Sequence, residues 1–284
     1  MAPRTKPPFF ADLGQMDNGA SGRTCYKGAR MPSEFLFYLV GLPTVFLIAV
    51  GKGAFGGGLA TLGVPLLSLV MLPIEAAIVV APLVSLMDAF ALGSFTPKTW
   101  SKPDLLWLLP SLVFGIALGY LFFAYVDPRL VAAAIGAVTL VFTIDWYLRG
   151  RKVPPRKLPV SPPLAFAAGT AAGFTTFIAH AGGPPVAMYL LRRGLHKTIY
   201  AGTSIALFTF GNLIKLVPYG LLAFARPSTL WAALALAPAV PVGVWVGKYL
   251  HDRLEQNRLF FWCYLILAFA AAKLLFDAIR ALAG

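Results

Sequence analysis

The chain has 284 residues, of which 58% are hydrophobic and only 12% charged, with a mean hydropathy of +0.76. A soluble domain carries about 25% charged residues, so this composition excludes an ordinary soluble globular protein. The net charge of +13 comes from lysines and arginines set mostly between or beside apolar spans, where the positive-inside rule accounts for them and leaves no soluble basic face for nucleic acid.

Residues 1–33 form a polar, Gly/Pro-rich N-terminal tail whose distance to the first apolar run is too great for a cleavable signal peptide. Eight apolar blocks follow, over 34–72, 74–96, 104–125, 129–148, 160–191, 197–222, 228–250 and 257–282. Several reach the roughly 20 residues that span a bilayer, and none shows the ten-residue alternation of an outer-membrane barrel. The expected fold is therefore an all-α polytopic membrane protein, embedded in the cytoplasmic (inner) membrane.

The strongest interruption is GRKVPPRKLPVSPP, Gly150–Pro163, basic and rich in proline. It divides the chain into a first transmembrane repeat (34–149), a connector (150–159) and a second repeat (160–284). A shift of 120 places Gly53, Gly63 and Pro65 on Gly173, Gly183 and Pro185; a shift of 128 places Pro110, Gly115 and Gly119 on Pro238, Gly243 and Gly247. Order and spacing both point to an internal duplication, a hallmark of transporter folds. The pairs Gly115/Gly119 and Gly243/Gly247 have the small-xxx-small spacing that lets helix backbones approach closely in lipid.

Two blocks are too long for one crossing. A continuous helix over 34–72 would measure about 60 Å, roughly twice the hydrocarbon thickness. This block carries GKGAFGGGLATLGVP at Gly51–Pro65, and the fifth block carries HAGGPP at His180–Pro185. Glycine lowers the cost of leaving helical geometry and proline enforces it. Gly56–Gly58 and Gly182–Pro185 are expected to be non-helical and to meet at membrane depth, each block opening its repeat as a broken or re-entrant helix. Such a break exposes backbone N–H groups and the positive end of a half-helix, so Gly56, Gly57, Gly58, Gly182 and Gly183 are candidate contacts for an anion.

The two segments, GAFGGGLATLGVPLL and HAGGPPVAMYLL, resemble those of the sulfite exporter TauE/SafE family, and the resemblance extends over essentially Phe35 to Ala283. It implies a secondary transporter moving a small sulfur-containing anion such as sulfite, a sulfonate or a sulfoacetate-like ion.

Polar residues inside the apolar blocks complete the candidate site. Lys52 is read either as an anion contact or as a lysine reaching toward an interface. His180 is either a hydrogen-bond donor or proton carrier for the anion, or a tie for the break's backbone. Helical spacing aligns Ser204, Phe208 or Leu207, Gly211 and Lys215 as a stripe on one block, beside Asn212. Asp88 would repel an anion, so it reads as a lysine partner or, like His180, as a coupling group.

Basic residues at both ends of the fifth block favour a hairpin that enters and returns, leaving three full crossings per half and inverted repeats. The expected mechanism is alternating access, one repeat rocking against the other. The alternatives are a membrane-embedded enzyme using His180, or an anion channel; no nucleophile motif favours the enzyme. The expected partners are a small anionic substrate and the lipid bilayer, with a homodimer left open. Cys25 and Cys263 make no disulfide framework, and the three histidines have no zinc spacing. Neither a metal nor a cofactor is expected.

Overall fold

The computed structural model describes residues 34–57, 60, 62–71, 73–122, 128–148, 159–179, 182–224 and 227–283. The tail 1–33, the connector except for its last residue, and two candidate site residues, Gly58 and His180, lie outside the described residues. Every regular element among the described residues is helical. The first half contributes α1 (Glu34–Phe55), α2 (Gly63–Leu67), α3 (Pro73–Ser94), α4 (Lys102–Phe122) and α5 (Pro128–Leu148). The second half contributes α6 (Pro162–Ala179), α7 (Gly183–Arg192), α8 (Lys197–Phe224), α9 (Pro227–Leu236), α10 (Ala239–Arg253) and α11 (Gln256–Ala283).

Among the described residues, α1, α3, α4 and α8 are each long and apolar enough to cross a membrane, and the pair α9–α10 is a further candidate. The seventh apolar block, read from sequence as one unit, is thus two helices bent by 40°. Pro238 stands at the junction, and its missing N–H removes the bond that would carry the helix through.

The breaks depart from expectation in one respect. Gly56 and Gly57 leave helical geometry with φ of 77° and 120°, a region that favours glycine. Gly183, Pro184 and Pro185, by contrast, do not remain non-helical: they form the first turn of α7. Proline suits that position, since the first N–H groups of a helix have no internal partner and proline's φ is already helical.

Helix pairing is set by glycine. Helices α1 and α10 run side by side in the same direction, with Ala49 beside Gly243 and Ala54 beside His251, while Gly41 lies against Leu236 at the end of α9. A Cβ at Gly53 would lie 2.4 Å from the Val244 carbonyl oxygen, and one at Gly247 2.3 Å from that of Val50. Helices α4 and α6 repeat the arrangement, a Cβ at Gly115 falling 2.1 Å from Thr170 O and one at Gly173 2.1 Å from Leu112 O. No other residue permits these approaches. In addition α3 packs on α8, and α5 on α11, where Trp146 and Tyr264 stack at 4.1 Å.

The remaining contacts fix direction. The ends of α3 and α10 and the starts of α4 and α8 gather at one face. There Phe95 meets the His251 ring at 5.1 Å, Ser101 N–H donates to Thr203 Oγ1 at 2.8 Å, and Lys197 Nζ donates to His251 O at 2.6 Å. Gly63 sits against Ile48 and Val80, so the chain turns back along α1 after Gly57. Helix α7 likewise runs back along α6: Gly182 lies against Ala172 and Thr176, whereas Arg193 reaches Asp104 in the first turn of α4.

Candidate functional site

The turn after α1 and the start of α7 come together over a cavity of about 40 Å³. Gly57 and Ala60 line it from the first break, Gly182 and Gly183 from the second, with Thr176 of α6 and Phe208, Asn212 and Lys215 of α8. Val80, Ala81 and Val84 of α3 close the apolar wall, and Lys52 of α1 completes the lining. One water needs about 10–15 Å³ of such space, so the cavity has room for about three waters or a small oxyanion head.

Its electrostatics come from three buried ionisable groups. Lys52 and Asp88, each 1% exposed, form an ion pair with Nζ 2.6 Å from Oδ1. Asp88 Oδ2 accepts a hydrogen bond from Asn212 Nδ2 at 2.6 Å. Lys215 Nζ donates to Thr176 Oγ1 at 2.8 Å, and Lys52 Nζ lies 5.2 Å from the centre of the Phe208 ring. The i, i+4 spacing of Ser204, Phe208 and Asn212 keeps these residues on one side of α8.

The backbone supplies less. Of the first four N–H groups of α7, Pro184 and Pro185 remove two. The helix end therefore keeps its positive character but offers few donors, and most of the attraction for an anion falls to the lysines.

Two polar anchors hold the broken helices in place. His251 Nδ1, meeting a carbonyl, is the protonated ring nitrogen: it donates to Ala54 O at 2.8 Å and satisfies an end carbonyl of α1. At α7, Arg193 Nε donates to Asp104 Oδ1 at 2.8 Å and its Nη2 to Oδ2 at 3.2 Å. Tyr189 donates to Oδ1 at 2.6 Å, and Ser101 Oγ to Oδ2 at 2.5 Å. The first anchor ties the first half to the second, and the second anchor does the reverse.

Of the sequence-derived candidates, Lys52, Gly57, Gly182, Gly183, Asn212 and Lys215 line the cavity, and Asp88 pairs with two of them. Gly56 and Ser204 stand just behind, a Cβ at Gly56 falling 2.8 Å from that of Ser204. Gly211, expected on the polar stripe, instead meets the Leu112 side chain of α4. Thr176 was missed: a threonine in an apolar helix commonly bonds its own backbone, as neighbouring Thr175 does to Ala171 O. Among the described residues no group of three His, Cys, Asp or Glu could hold a metal ion.

A family model described as sulfite exporter TauE/SafE matches residues 41–274. No curated protein and no solved structure matches the chain.

Proposed function

This chain belongs to the sulfite exporter TauE/SafE family of membrane anion transporters, and from that premise we propose a carrier for a small sulfur-containing anion, working by alternating access in the cytoplasmic membrane. One observation carries the reading: two buried lysines face a small cavity against a single carboxylate, beneath two helix breaks from opposite halves of the chain. Lysine is a point charge with three donors, suited to an oxyanion that turns over rather than one held in fixed orientation.

In this reading Lys215 and Lys52 hold the anion, Gly57, Gly182 and Gly183 let it approach the backbone, and Asn212 keeps Asp88 oriented. Sulfite, a sulfonate or a sulfoacetate-like head is the intended ligand class. A cavity of about 40 Å³ set between two helix breaks, rather than a ring of charge or a filter along a path, favours a carrier over a channel.

We further propose that 34–149 and 160–284 are inverted repeats. The reciprocal pairing supports this: α1 of the first half clasps α10 of the second, and α6 of the second clasps α4 of the first, as a two-fold relation requires. Asp88 and Asn212, bonded to each other, are 124 residues apart, between the displacements of 120 and 128 read from the glycines. Lys98, Lys102, Lys197, Lys248 and Arg253 lie near where α3 and α10 end, which supports reading that face as the cytoplasmic one.

Counterflow in proteoliposomes tests the function. The parent should exchange labelled sulfite or methanesulfonate, and Lys215→Met should weaken its binding by roughly 1.5–3 kcal/mol, the value of a charged hydrogen bond. Unaltered exchange in Lys215→Met would move the substrate elsewhere, and net chemical conversion would indicate an enzyme.

A further inference from the structure

Resting on the transport reading above, we propose that Asp88 sets the charge class of the substrate: the site accepts a monoanionic oxyanion head while Asp88 is ionised, and a dianion only together with one proton on Asp88. The argument is a count of charge in a small cavity with a largely apolar wall. Lys52 and Lys215 are the cationic lining residues, and Asp88 is the carboxylate paired to one of them. With all three ionised the site carries one net positive charge. A monoanion neutralises it. A dianion leaves one negative charge uncompensated among Val80, Val84 and Phe208, where unpaired charge is strongly unfavourable.

The geometry makes Asp88 the group that responds. Lys52 Nζ sits 2.6 Å from its Oδ1, so the carboxylate and an entering anion share this lysine. A proton added at Oδ1 converts the carboxylate to a neutral acid and releases Lys52 wholly to the anion. Asn212 can still donate to Oδ2. The balance is simple: one dianion and one proton enter, and the site is neutral again.

Among the described residues, Lys215 is the other lining group whose proton can move, and proton exchange there would accompany methanesulfonate as well as sulfate. Lys52 of α1 and Lys215 of α8 are the charged groups acting on Asp88. Helix α10, also packed on α3, places Lys248 and His251 against Phe95, about two helical turns farther along. Helices α2 and α9 carry no titratable side chain where they pack on α3.

The test uses two tetrahedral anions of similar size and different charge, methanesulfonate and sulfate, both fully ionised from roughly pH 6 to pH 8. Calorimetry of the full-length protein in nanodiscs, repeated in buffers of different ionisation enthalpy, reads proton uptake directly. Methanesulfonate should bind without proton uptake. Sulfate should take up one proton, its affinity falling about ten-fold per pH unit as Asp88 is increasingly ionised. Asp88→Asn should abolish that uptake and raise the sulfate-to-methanesulfonate affinity ratio by about ten-fold or more.

Because Asp88→Asn leaves Lys52 unpaired and can fail to fold, Lys52→Met/Asp88→Asn provides a second arm. It carries one net positive charge on Lys215 and should return the ratio toward methanesulfonate. Sulfate binding to the parent without proton uptake, or a ratio unmoved by Asp88→Asn, overturns the proposal. A double variant that keeps the sulfate preference overturns it too. Methanesulfonate counterflow by the parent is a separate readout: its absence refutes the transport reading, whereas a wrong ratio in an exchanging protein refutes only the role of Asp88.

Discussion

Lys52 and Lys215 are both buried lysines at one cavity, yet they differ in what their removal leaves behind. Lys52→Met strands Asp88 without its ion partner, a change that typically costs about 3–5 kcal/mol. Lys215→Met leaves only the Thr176 hydroxyl, a neutral group, so its effect on stability should be much the smaller. Thermal unfolding in detergent should therefore show a large loss for Lys52→Met and a small one for Lys215→Met; equal losses would mean that the Lys52–Asp88 pair is not holding the structure. Lys52, Asp88, Asn212 and Lys215 were legible in the sequence because an ionisable or amide group inside an apolar run needs a specific reason to be there. Thr176 was harder to read, and Phe208 stood on the stripe only as an alternative to Leu207. Hydroxyls and rings are ordinary in membrane helices, and only the packing of α6 and α8 tells which of them face the cavity.

Helix pairing rests on backbone contact, and backbone contact rests on the absence of a side chain. Gly53→Ala and Gly173→Ala each place a methyl on a carbonyl oxygen, at 2.4 Å and 2.1 Å. Both should lower thermal stability by an overpacking cost of about 1–3 kcal/mol. Gly93 on α3 has nothing within 4 Å of a would-be Cβ, so Gly93→Ala should be neutral or slightly stabilising. If all three behave alike, close approach is not what selects glycine here. The anchor at α1 can be tested in the same assay. His251→Phe keeps a ring beside Phe95 but orphans Ala54 O, and should cost about 1–3 kcal/mol. The sequence made Gly53 and Gly173 conspicuous through their matched places in the two halves but could not name their partners, because each contact joins residues from different halves. The same limit hid His251, which reads as an ordinary residue near a helix end until Ala54 O is placed beside it.

At the scale of the molecule, pairing across the halves makes sidedness testable. With Cys25 and Cys263 replaced by alanine, single cysteines at Lys98 and Asp252 should react with an impermeant maleimide from the cytoplasmic side. A cysteine at Leu69, which is 72% exposed, should react from the opposite side. Labelling of all three from one side would refute inverted repeats. The pairing also bears on movement. Rocking one sequence half against the other, the simplest expectation for a duplicated chain, would shear the α1–α10 and α4–α6 contacts, the tightest in the fold. Rigid bodies that keep those contacts must each mix helices from both halves.

The clasp of α1 on α10 has a consequence for how the protein is made. A ribosome finishes α1, with Lys52 and its bare glycine face, before any of α10 exists, and the first half must wait in the bilayer for its partner. Maturation should therefore be late and concerted, set by the arrival of the second half rather than by insertion of the first. Two polypeptides covering 1–150 and 151–284, produced together, should assemble and exchange anion; either one alone should be degraded. Stable accumulation of the first half by itself would show that α1 does not depend on α10.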